Sequence, residues 1–356
     1  MLASSERSQT ASLPSMGPLL FLIYINDLTH SYNDCKFILF ADDTNIFVIG
    51  KNRSEMYRQA NKVLGYINQY TLANKLHINA KKSCYIEFGT RHNKLTDITD
   101  HNLEINGIPL LKVNETKFLG VTIDANLNFN AQRTKLLKKL ATNSGILCRI
   151  KDNVPEELHK DLYHTLFESH LTYGISVWGG VSNNKLSQIF KMQKRCIRIL
   201  FGNKEAYLEK FKTCARTRPF EDQILGQEFF KREHTKPLFT KHKLFTVHNL
   251  YFYHCCNEVL KILKHRTPIS MFPMFEISHR IGKETFLIHP EPSESFAYRA
   301  SVIWNYARSK IQFNDLSLPL SSFKSTIKKF ISKNQQLGLM ENWNESLNFL
   351  NNSGKA

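Results

Sequence analysis

Two adjacent carboxylates, Asp42 and Asp43, form the sharpest local feature of the sequence, with apolar runs on both sides at residues 37–40 and 46–48. Two like charges side by side repel, and apolar flanks make that repulsion harder to screen, so a divalent cation would stabilise the pair. Carboxylate oxygens suit Mg²⁺ or Mn²⁺, ions that can activate a 3′-hydroxyl and stabilise a leaving pyrophosphate. The alternative is that Asp-Asp, a good turn dipeptide, only closes a hairpin in water.

The elements around this pair are predicted to be a tight hairpin and an amphipathic helix. Residues 36–40 and 44–48 are β-prone runs about Ala41-Asp42-Asp43, which places both carboxylates at an exposed tip. Residues 54–74 have the apolar spacing of a helix, and Pro18 suits the first turn of an earlier one that runs to about residue 28. Further strands are expected at residues 76–78, 84–88, 103–105 and 117–123.

From about residue 131 the apolar period becomes helical. Helices are predicted at residues 131–150, 156–174, 185–201, 241–264 and 321–332, the last capped by Ser321 or Ser322. Prolines between residues 268 and 292 predict a long loop region. In the third of these helices one face is apolar, and the opposite face carries Lys191, Lys194, Arg195 and Arg198.

The charge of the chain points to a polyanionic partner. Lys and Arg number 48 against 31 Asp and Glu, which gives a net charge of +17 over 356 residues. Nucleic acid is the first partner to consider and an anionic membrane the second. The four-residue basic stripe suits phosphates and predicts salt-sensitive binding, although such stripes are equally often a solvated helix face.

The cysteine pattern excludes a disulfide framework and favours an intracellular protein. The seven cysteines include no C-x-x-C pair. Cys255 and Cys256 lie near three histidines, but adjacent cysteines rarely chelate one ion well, so buried thiols are predicted rather than zinc ligands. The strongest apolar run, residues 18–25, is too short for a membrane helix.

The order of motifs resembles the reverse transcriptases of non-LTR (LINE-type) retrotransposons. Gly17-Pro18-Leu19-Leu20-Phe21 followed by Phe40-Ala41-Asp42-Asp43 is similar to the palm of that family, in which a G-P-L-L-F helix precedes an F-A-D-D hairpin. Further similar pieces follow in the family's order: N-K-L-H-I-N at 74–79 with Lys82-Ser83, F-L-G-V at 118–121, L-T-Y-G at 171–174 with V-W-G at 177–179, and H-T-K-P-L-F at 234–239 with Arg299 and Trp304-Asn305, as in jockey-like elements. No single motif is specific for this family, but the motifs occur together in the order and spacing that the family has.

The resemblance implies a role for each matching residue. Asp42 is the expected main ligand of Mg²⁺ or Mn²⁺, with Asp43 assisting, while Phe40 and Ala41 shape the tip beside the primer end. Lys82 is expected near the pyrophosphate as a proton donor or charge partner, or else is a solvated surface lysine. Gly120 is expected to let the F-L-G-V hairpin approach the primer backbone, or else is an ordinary turn glycine.

The departures from the family limit what the chain is expected to do alone. The family's P-Q-G-S stretch reads Ala11-Ser12-Leu13-Pro14 here, and the fingers, the strand with the other catalytic Asp and the endonuclease lie upstream in the family. Metal binding is therefore expected to be weak and the isolated chain inactive. Without that strand the hairpin should also have an uncovered edge. The alternatives are a non-catalytic nucleic-acid-binding fragment or a retrotransposon relic.

The expected fold is α+β, a partial reverse-transcriptase palm followed by all-helical thumb and C-terminal regions. The expected limits are a partial palm at residues 16–130, a thumb-like helical region at 131–215 and a helical C-terminal region at 216–345, between disordered ends at 1–15 and 346–356. The implied partners are an RNA template, a DNA primer and deoxynucleoside triphosphates, with no membrane.

Overall fold

A computed structural model describes residues 16–29, 35–89, 102–180, 183–202, 235–277, 287, 295–311 and 319–337. The predictions for the two chain ends, for most of residues 202–240, for His234 and for Pro290 and Pro292 lie outside these described residues. The chain divides into two compact units: unit 1 is Met1–Phe118 with Ile123–Leu127, and unit 2 is Leu119–Thr122 with Asn128–Ala356. The mixed α+β class expected from the sequence is confirmed.

Unit 1 is built on two helices. Helix α1 spans Met16–Ile25 and continues into a 3₁₀ turn at Asn26–Thr29, and α2 spans Arg53–Ala73. Asn52 caps α2, because its side chain accepts a hydrogen bond from the Glu55 amide at 2.8 Å. The apolar face of α2 packs into two small cores, one around Val63 and Ile67 and the other around Tyr57 and Leu64.

The strands of unit 1 are short and paired two by two. Strands β1 (Lys36–Phe40) and β2 (Asp43–Phe47) form the predicted hairpin. Strands β4 (Glu104–Ile105) and β5 (Ile108–Pro109) form another, with its turn at Asn106-Gly107. The remaining pairs are β3 (Cys84–Tyr85) with β6 (Leu111–Lys112), which is parallel, and β7 (Glu115–Phe118) with β8 (Val121–Asp124).

Three strand predictions need correction. The strand expected at residues 117–123 is divided by the turn at Leu119–Gly120 into β7 and β8. Residues 76–78 are irregular, because the backbone there is used to end α2: the Leu76 amide donates to the Thr71 carbonyl at 2.7 Å, after Lys75 turns the chain with a φ of 53°. Leu76 and Ile78 nevertheless pack on the core of unit 1. The strand expected at residues 84–88 is reduced to Cys84–Tyr85.

Unit 2 is helical in its described residues, apart from the start of β8 and an isolated bridge between Ile277 and Leu287. Its helices are α3 Asn130–Ile150, α4 His159–Tyr163, α5 Ser169–Thr172, α6 Ile175–Trp178, α7 Asn183–Phe201, α8 Lys236–Lys241, α9 Val247–His265, α10 Phe296–Lys310 and α11 Leu320–Leu337. A π turn at His164–Glu168 joins α4 to α5, and 3₁₀ turns lie at Lys151–Asn153, Glu156–Leu158 and Phe272–Met274.

One continuous core fills unit 2 and extends across both of the predicted helical regions. Its largest fully buried side chains include Trp178, Trp304, Tyr163 and Phe167. The predicted apolar face of α7 is buried, and so are Cys255 and Cys256, as predicted. Burial raises the pKa of the Cys255 thiol to about 12.

Helices α8 and α10 were missed, and the starts of α9 and α11 were misplaced. Helix α9 begins at Val247 rather than at residue 241, because residues 242–246 form a turn and an extended segment after α8. Most of the side chains of α10 from Ala297 to Ala307 are buried, so the sequence lacks the polar face that would reveal a helical period. Helix α11 begins at Leu320, so Ser321 and Ser322 lie inside the helix rather than at its cap. None of the described helices is long and apolar enough to cross a lipid bilayer.

The buried His248 predicts a pH-dependent stability for unit 2. Burial, reinforced by the nearby Lys194 charge, lowers the pKa of His248 to about 4 from the ordinary 6.5. Between these values the unfolded chain binds more protons than the folded one, so the free energy of unfolding falls as the pH drops through this window. We expect this residue to contribute a loss of about 2 to 3 kcal/mol between pH 7 and pH 4.5.

Urea unfolding at the two pH values measures this loss. His248→Gln should unfold with a smaller pH dependence than the parent, and His265→Gln, which changes an exposed histidine at the end of the same helix, should retain the parent's dependence. Equal pH dependence in the parent and His248→Gln would contradict the assignment.

Candidate active site

The carboxylate pair lies at the tip of the β1–β2 hairpin. Five residue pairs make up this ladder, and the last of them joins Phe40 to Asp43, which leaves Ala41 and Asp42 as the two-residue loop. Asp42 and Asp43 are both exposed. Ala41 has a φ of 51°, a left-handed conformation that residues with a Cβ rarely adopt. The tip is therefore a strained turn held in place by the ladder, a feature that is common at functional sites.

The core of unit 1 supports the hairpin from one side. Phe37, Leu39 and Ile46 of the hairpin pack on a cluster formed by the end of α1 and by Val63 and Ile67 of α2. Alternate residues of β1 thus face the core, as the period of a strand requires. The Tyr70 hydroxyl of α2 also donates to the Tyr24 carbonyl of α1 at 3.2 Å. The two helices thus support the base of the hairpin.

Large apolar side chains are exposed on α1 and at the end of β1. Phe40 is 61% exposed, and α1 exposes Leu19, Leu20, Leu22 and Ile23 by between 48% and 63%. Among the described residues, no third strand pairs with β1 or β2. The expected uncovered edge is therefore present in this part of the chain, and exposed apolar side chains accompany it.

Lys82 is exposed in a turn after α2 and is not joined to the carboxylates. Its backbone amide donates to the Asn79 carbonyl at 3.0 Å, and the Ser83 hydroxyl donates to the same carbonyl, also at 3.0 Å. No hydrogen bond or ion pair between described residues links the Lys82 ammonium to Asp42 or Asp43. The turn is well defined by Asn79, but its role near a pyrophosphate stays a prediction.

The donor set of the tip fits a hard divalent cation only in part. Carboxylate oxygens are the ligands that Mg²⁺ and Mn²⁺ prefer, and both groups are accessible. Over the described ranges, no cluster of three or more His, Cys, Asp or Glu side chains could hold an ion. Asp42 and Asp43 would therefore hold the ion with only two side chains, and water or substrate phosphates would have to complete the octahedral set.

Gly120 lies in a turn that another protein group approaches. Leu119 and Gly120 form the loop between β7 and β8 with φ values of 43° and 86°. A Cβ at Gly120 would lie 2.9 Å from Cε1 of Tyr173, and the Tyr173 hydroxyl donates to the Leu119 carbonyl at 2.6 Å. The glycine is therefore needed for close packing, as well as for its positive φ. Tyr173 belongs to the L-T-Y-G motif, but the sequence alone predicts no role for it.

The basic stripe on α7 is only partly a free surface. Lys191 is exposed, whereas Lys194, Arg195 and Arg198 are partly buried and each also interacts within the chain. The Lys194 ammonium lies 4.3 Å from the centre of the Phe190 ring, a cation–π contact. Part of the stripe therefore serves packing, and its contact with phosphates stays a prediction.

Other motifs of the resemblance meet inside the core of unit 2. A Cβ at Gly180, the residue after the V-W-G motif, would lie 2.3 Å from Nε of Arg299 and 2.7 Å from the Tyr251 hydroxyl. The backbone at this glycine therefore packs closely against α9 and α10. Trp304 stacks on Phe323 with ring centres 5.8 Å apart. Asn305 forms two 2.8 Å hydrogen bonds with the backbone of Leu287. These residues hold the fold together.

The segment that carries the hairpin also matches a known protein family. Residues 14–123, which include the G-P-L-L-F helix, the carboxylate hairpin and the Leu119–Gly120 turn, match the reverse transcriptase (RNA-dependent DNA polymerase) family. The expected resemblance is therefore confirmed: this chain is homologous to RNA-directed DNA polymerases of non-LTR mobile elements over about half of its length.

Two Drosophila melanogaster relatives define this likeness. The chain is 25% identical over 214 residues to the probable RNA-directed DNA polymerase from the transposon X-element, a match that covers 56% of this chain and 22% of that protein. It is 22% identical over 213 residues to the RNA-directed DNA polymerase from the mobile element jockey, covering 56% of this chain and 23% of that protein. The matches thus span less than a quarter of these relatives' length. No solved structure matches the chain.

Proposed function

We propose that this chain forms the carboxylate-hairpin part of the palm and the helical thumb of an RNA-directed DNA polymerase from a non-LTR retrotransposon. The observation that carries the proposal is the exposed Asp42–Asp43 pair on a strained hairpin tip inside the segment that matches reverse transcriptases. The division of the chain between residues 118 and 128 supports a palm-like part before it and a thumb-like part after it.

In this proposal the polymerase that contains these parts binds an RNA template paired to a DNA primer and adds deoxynucleotides to the primer. The 3′-hydroxyl attacks the α-phosphorus of the triphosphate, a phosphodiester bond forms, and pyrophosphate leaves. Asp42 and Asp43 would hold Mg²⁺ or Mn²⁺, which would lower the pKa of the hydroxyl and stabilise the pyrophosphate charge. Phe40 and Ala41 shape the surface beside the primer end.

The same geometry predicts that the isolated 356-residue chain has little polymerase activity. Two carboxylates are fewer ligands than two-metal catalysis uses, so the described residues should bind a metal weakly and place it poorly. We expect no detectable primer extension with Mg²⁺ or Mn²⁺ by this chain alone.

Iron-directed cleavage locates the metal site in the chain itself. Fe²⁺ in place of Mg²⁺, with ascorbate and peroxide, generates hydroxyl radicals that cut the backbone beside the bound ion. We expect cuts next to Asp42 and Asp43 that excess Mg²⁺ suppresses and that the double substitution Asp42→Asn with Asp43→Asn removes. Glu104→Gln, at an exposed acidic residue on another hairpin of unit 1, should leave the cuts unchanged. Cuts that persist in the double variant would place the metal elsewhere.

A non-catalytic nucleic-acid-binding role is the second candidate, favoured by the net charge of +17 and the stripe on α7. Replacing Lys191 and Arg198 with Gln should weaken binding to single-stranded DNA and reduce the slope of log affinity against log salt by about 1.4, since each phosphate contact contributes about 0.7.

The control for this change removes the same charge from another helix. Lys329→Gln with Lys333→Gln takes two exposed lysines from α11 and should leave the slope nearly unchanged. If the two pairs reduce the slope equally, the stripe is an ordinary solvated face and only the total charge matters.

A further inference from the structure

The turn between β7 and β8 has a conformation that its own sequence does not favour. Both central residues, Leu119 and Gly120, have positive φ, as in the type I′ turn of tight hairpins. That turn prefers Asn-Gly or Asp-Gly, whereas a bulky residue such as leucine is rarely found at positive φ. Some other group must therefore stabilise this conformation.

Tyr173 supplies that stabilisation. Its hydroxyl donates to the Leu119 carbonyl at 2.6 Å. Two of its ring carbons and the hydroxyl oxygen lie within 3.2 Å of the position that a Cβ on Gly120 would take. The next residue, Gly174, has a φ of 62°, and a Cβ on it would lie 2.8 Å from Cγ2 of Val121. Tyr173 and Gly174 thus pack against the turn on both sides, Tyr173 against Gly120 and Gly174 against Val121.

The backbone of Tyr173 is anchored to the core of unit 2, while its side chain is exposed. The indole Nε1 of Trp178, a buried residue, donates to the Tyr173 carbonyl at 2.8 Å. The Tyr173 ring remains 56% exposed, and Gly120 is exposed too. A turn held in one conformation and an exposed aromatic side chain suit contact with a nucleic-acid strand.

We infer that Tyr173 is a positioning residue: it holds the strained Leu119–Gly120 turn in the conformation that meets the sugar–phosphate backbone of a nucleic-acid strand. This inference rests on the proposed function, because it takes the strand to be the primer. The tyrosine acts through the turn, so its hydroxyl matters even where it does not contact the strand.

The test combines a substitution that removes the Tyr173 hydrogen bond with one that makes the turn stable without that bond. Tyr173→Phe deletes the hydrogen bond. Leu119→Asn gives the turn the Asn-Gly sequence that a type I′ turn prefers. Two quantities are measured in the full chain: the exchange rate of the Gly120 amide, and the Kd for a fluorescent single-stranded DNA oligonucleotide at fixed salt.

Tyr173→Phe should speed the exchange and weaken binding by about fivefold each, the size of one neutral hydrogen bond. Adding Leu119→Asn should restore both quantities. Rescue by a substitution in the turn distinguishes positioning from a direct contact of the hydroxyl with DNA. Tyr70→Phe, which removes a similar tyrosine-to-carbonyl hydrogen bond in unit 1, should change neither quantity.

Two results would overturn the inference and leave the proposed function standing: unchanged exchange and binding in Tyr173→Phe, or failure of Leu119→Asn to restore them. Oligonucleotide binding that does not protect the Gly120 amide in the parent chain would count against the proposed primer contact, and the inference would fail with it.

Discussion

Replacing Gln193 with leucine should destabilise unit 2 by about 3 to 5 kcal/mol, a large share of the stability of a typical domain. Gln193 is fully buried on α7. Its Nε2 donates to the Tyr163 hydroxyl and to the Phe245 carbonyl, each at 2.8 Å, and its Oε1 accepts from the Val247 amide at 2.8 Å. Leucine has a similar volume but can form none of these bonds.

The cost arises from the groups that would be left behind. The Val247 amide begins α9 and has no partner within that helix, and the Phe245 carbonyl precedes it. A buried polar group without a partner costs about 1 to 3 kcal/mol, and the substitution would orphan two or three. Urea unfolding of Gln193→Leu and of Gln188→Leu, an exposed glutamine on the same helix, gives the comparison. Values within about 1 kcal/mol of each other would show that the network matters little.

Elements with a local signal could be predicted from the sequence. The β1–β2 hairpin follows from two β-prone runs about a turn dipeptide, and the long helices α2, α3 and α7 follow from their apolar spacing. In each of these the residues that define the pattern are neighbours along the chain. The acidic tip was predictable for the same reason, since four consecutive residues, 40–43, define it.

Features that depend on distant partners could not be predicted. Gln193 interrupts the apolar face of α7, but nothing local shows that its partners are Tyr163 and the start of α9. Tyr173 lies 54 residues from Leu119, so its hydrogen bond is invisible in sequence. Helix α10 was missed because burial nearly all round it removes the helical period from its sequence.

The basic stripe illustrates the limit of a helical wheel. The wheel correctly separates the buried face of α7 from the charged one. It cannot show that Lys194 lies over the Phe190 ring, or that Arg195 is partly buried. Counting all four cations as phosphate ligands therefore overestimates the surface that remains for nucleic acid.

The largest effect is expected from Asp42→Asn in a polymerase that contains this hairpin. Residues 14–123 can replace the matching segment of the jockey polymerase, so that the rest of that protein completes the active site. The amide keeps the size of the side chain but removes the negative charge that would hold the metal in the proposed function. Loss of such a ligand costs several kcal/mol of transition-state stabilisation, roughly a thousandfold or more in rate.

RNA-templated primer extension by this chimera is the most direct measurement of the central claim, that Asp42 holds the metal used for nucleotide addition. We expect extension by the chimera, a loss of about a thousandfold in Asp42→Asn, and an unchanged rate in Glu104→Gln. A chimera that is inactive although the jockey parent extends the primer would contradict the claim. So would an Asp42→Asn rate within about tenfold of the unmodified chimera.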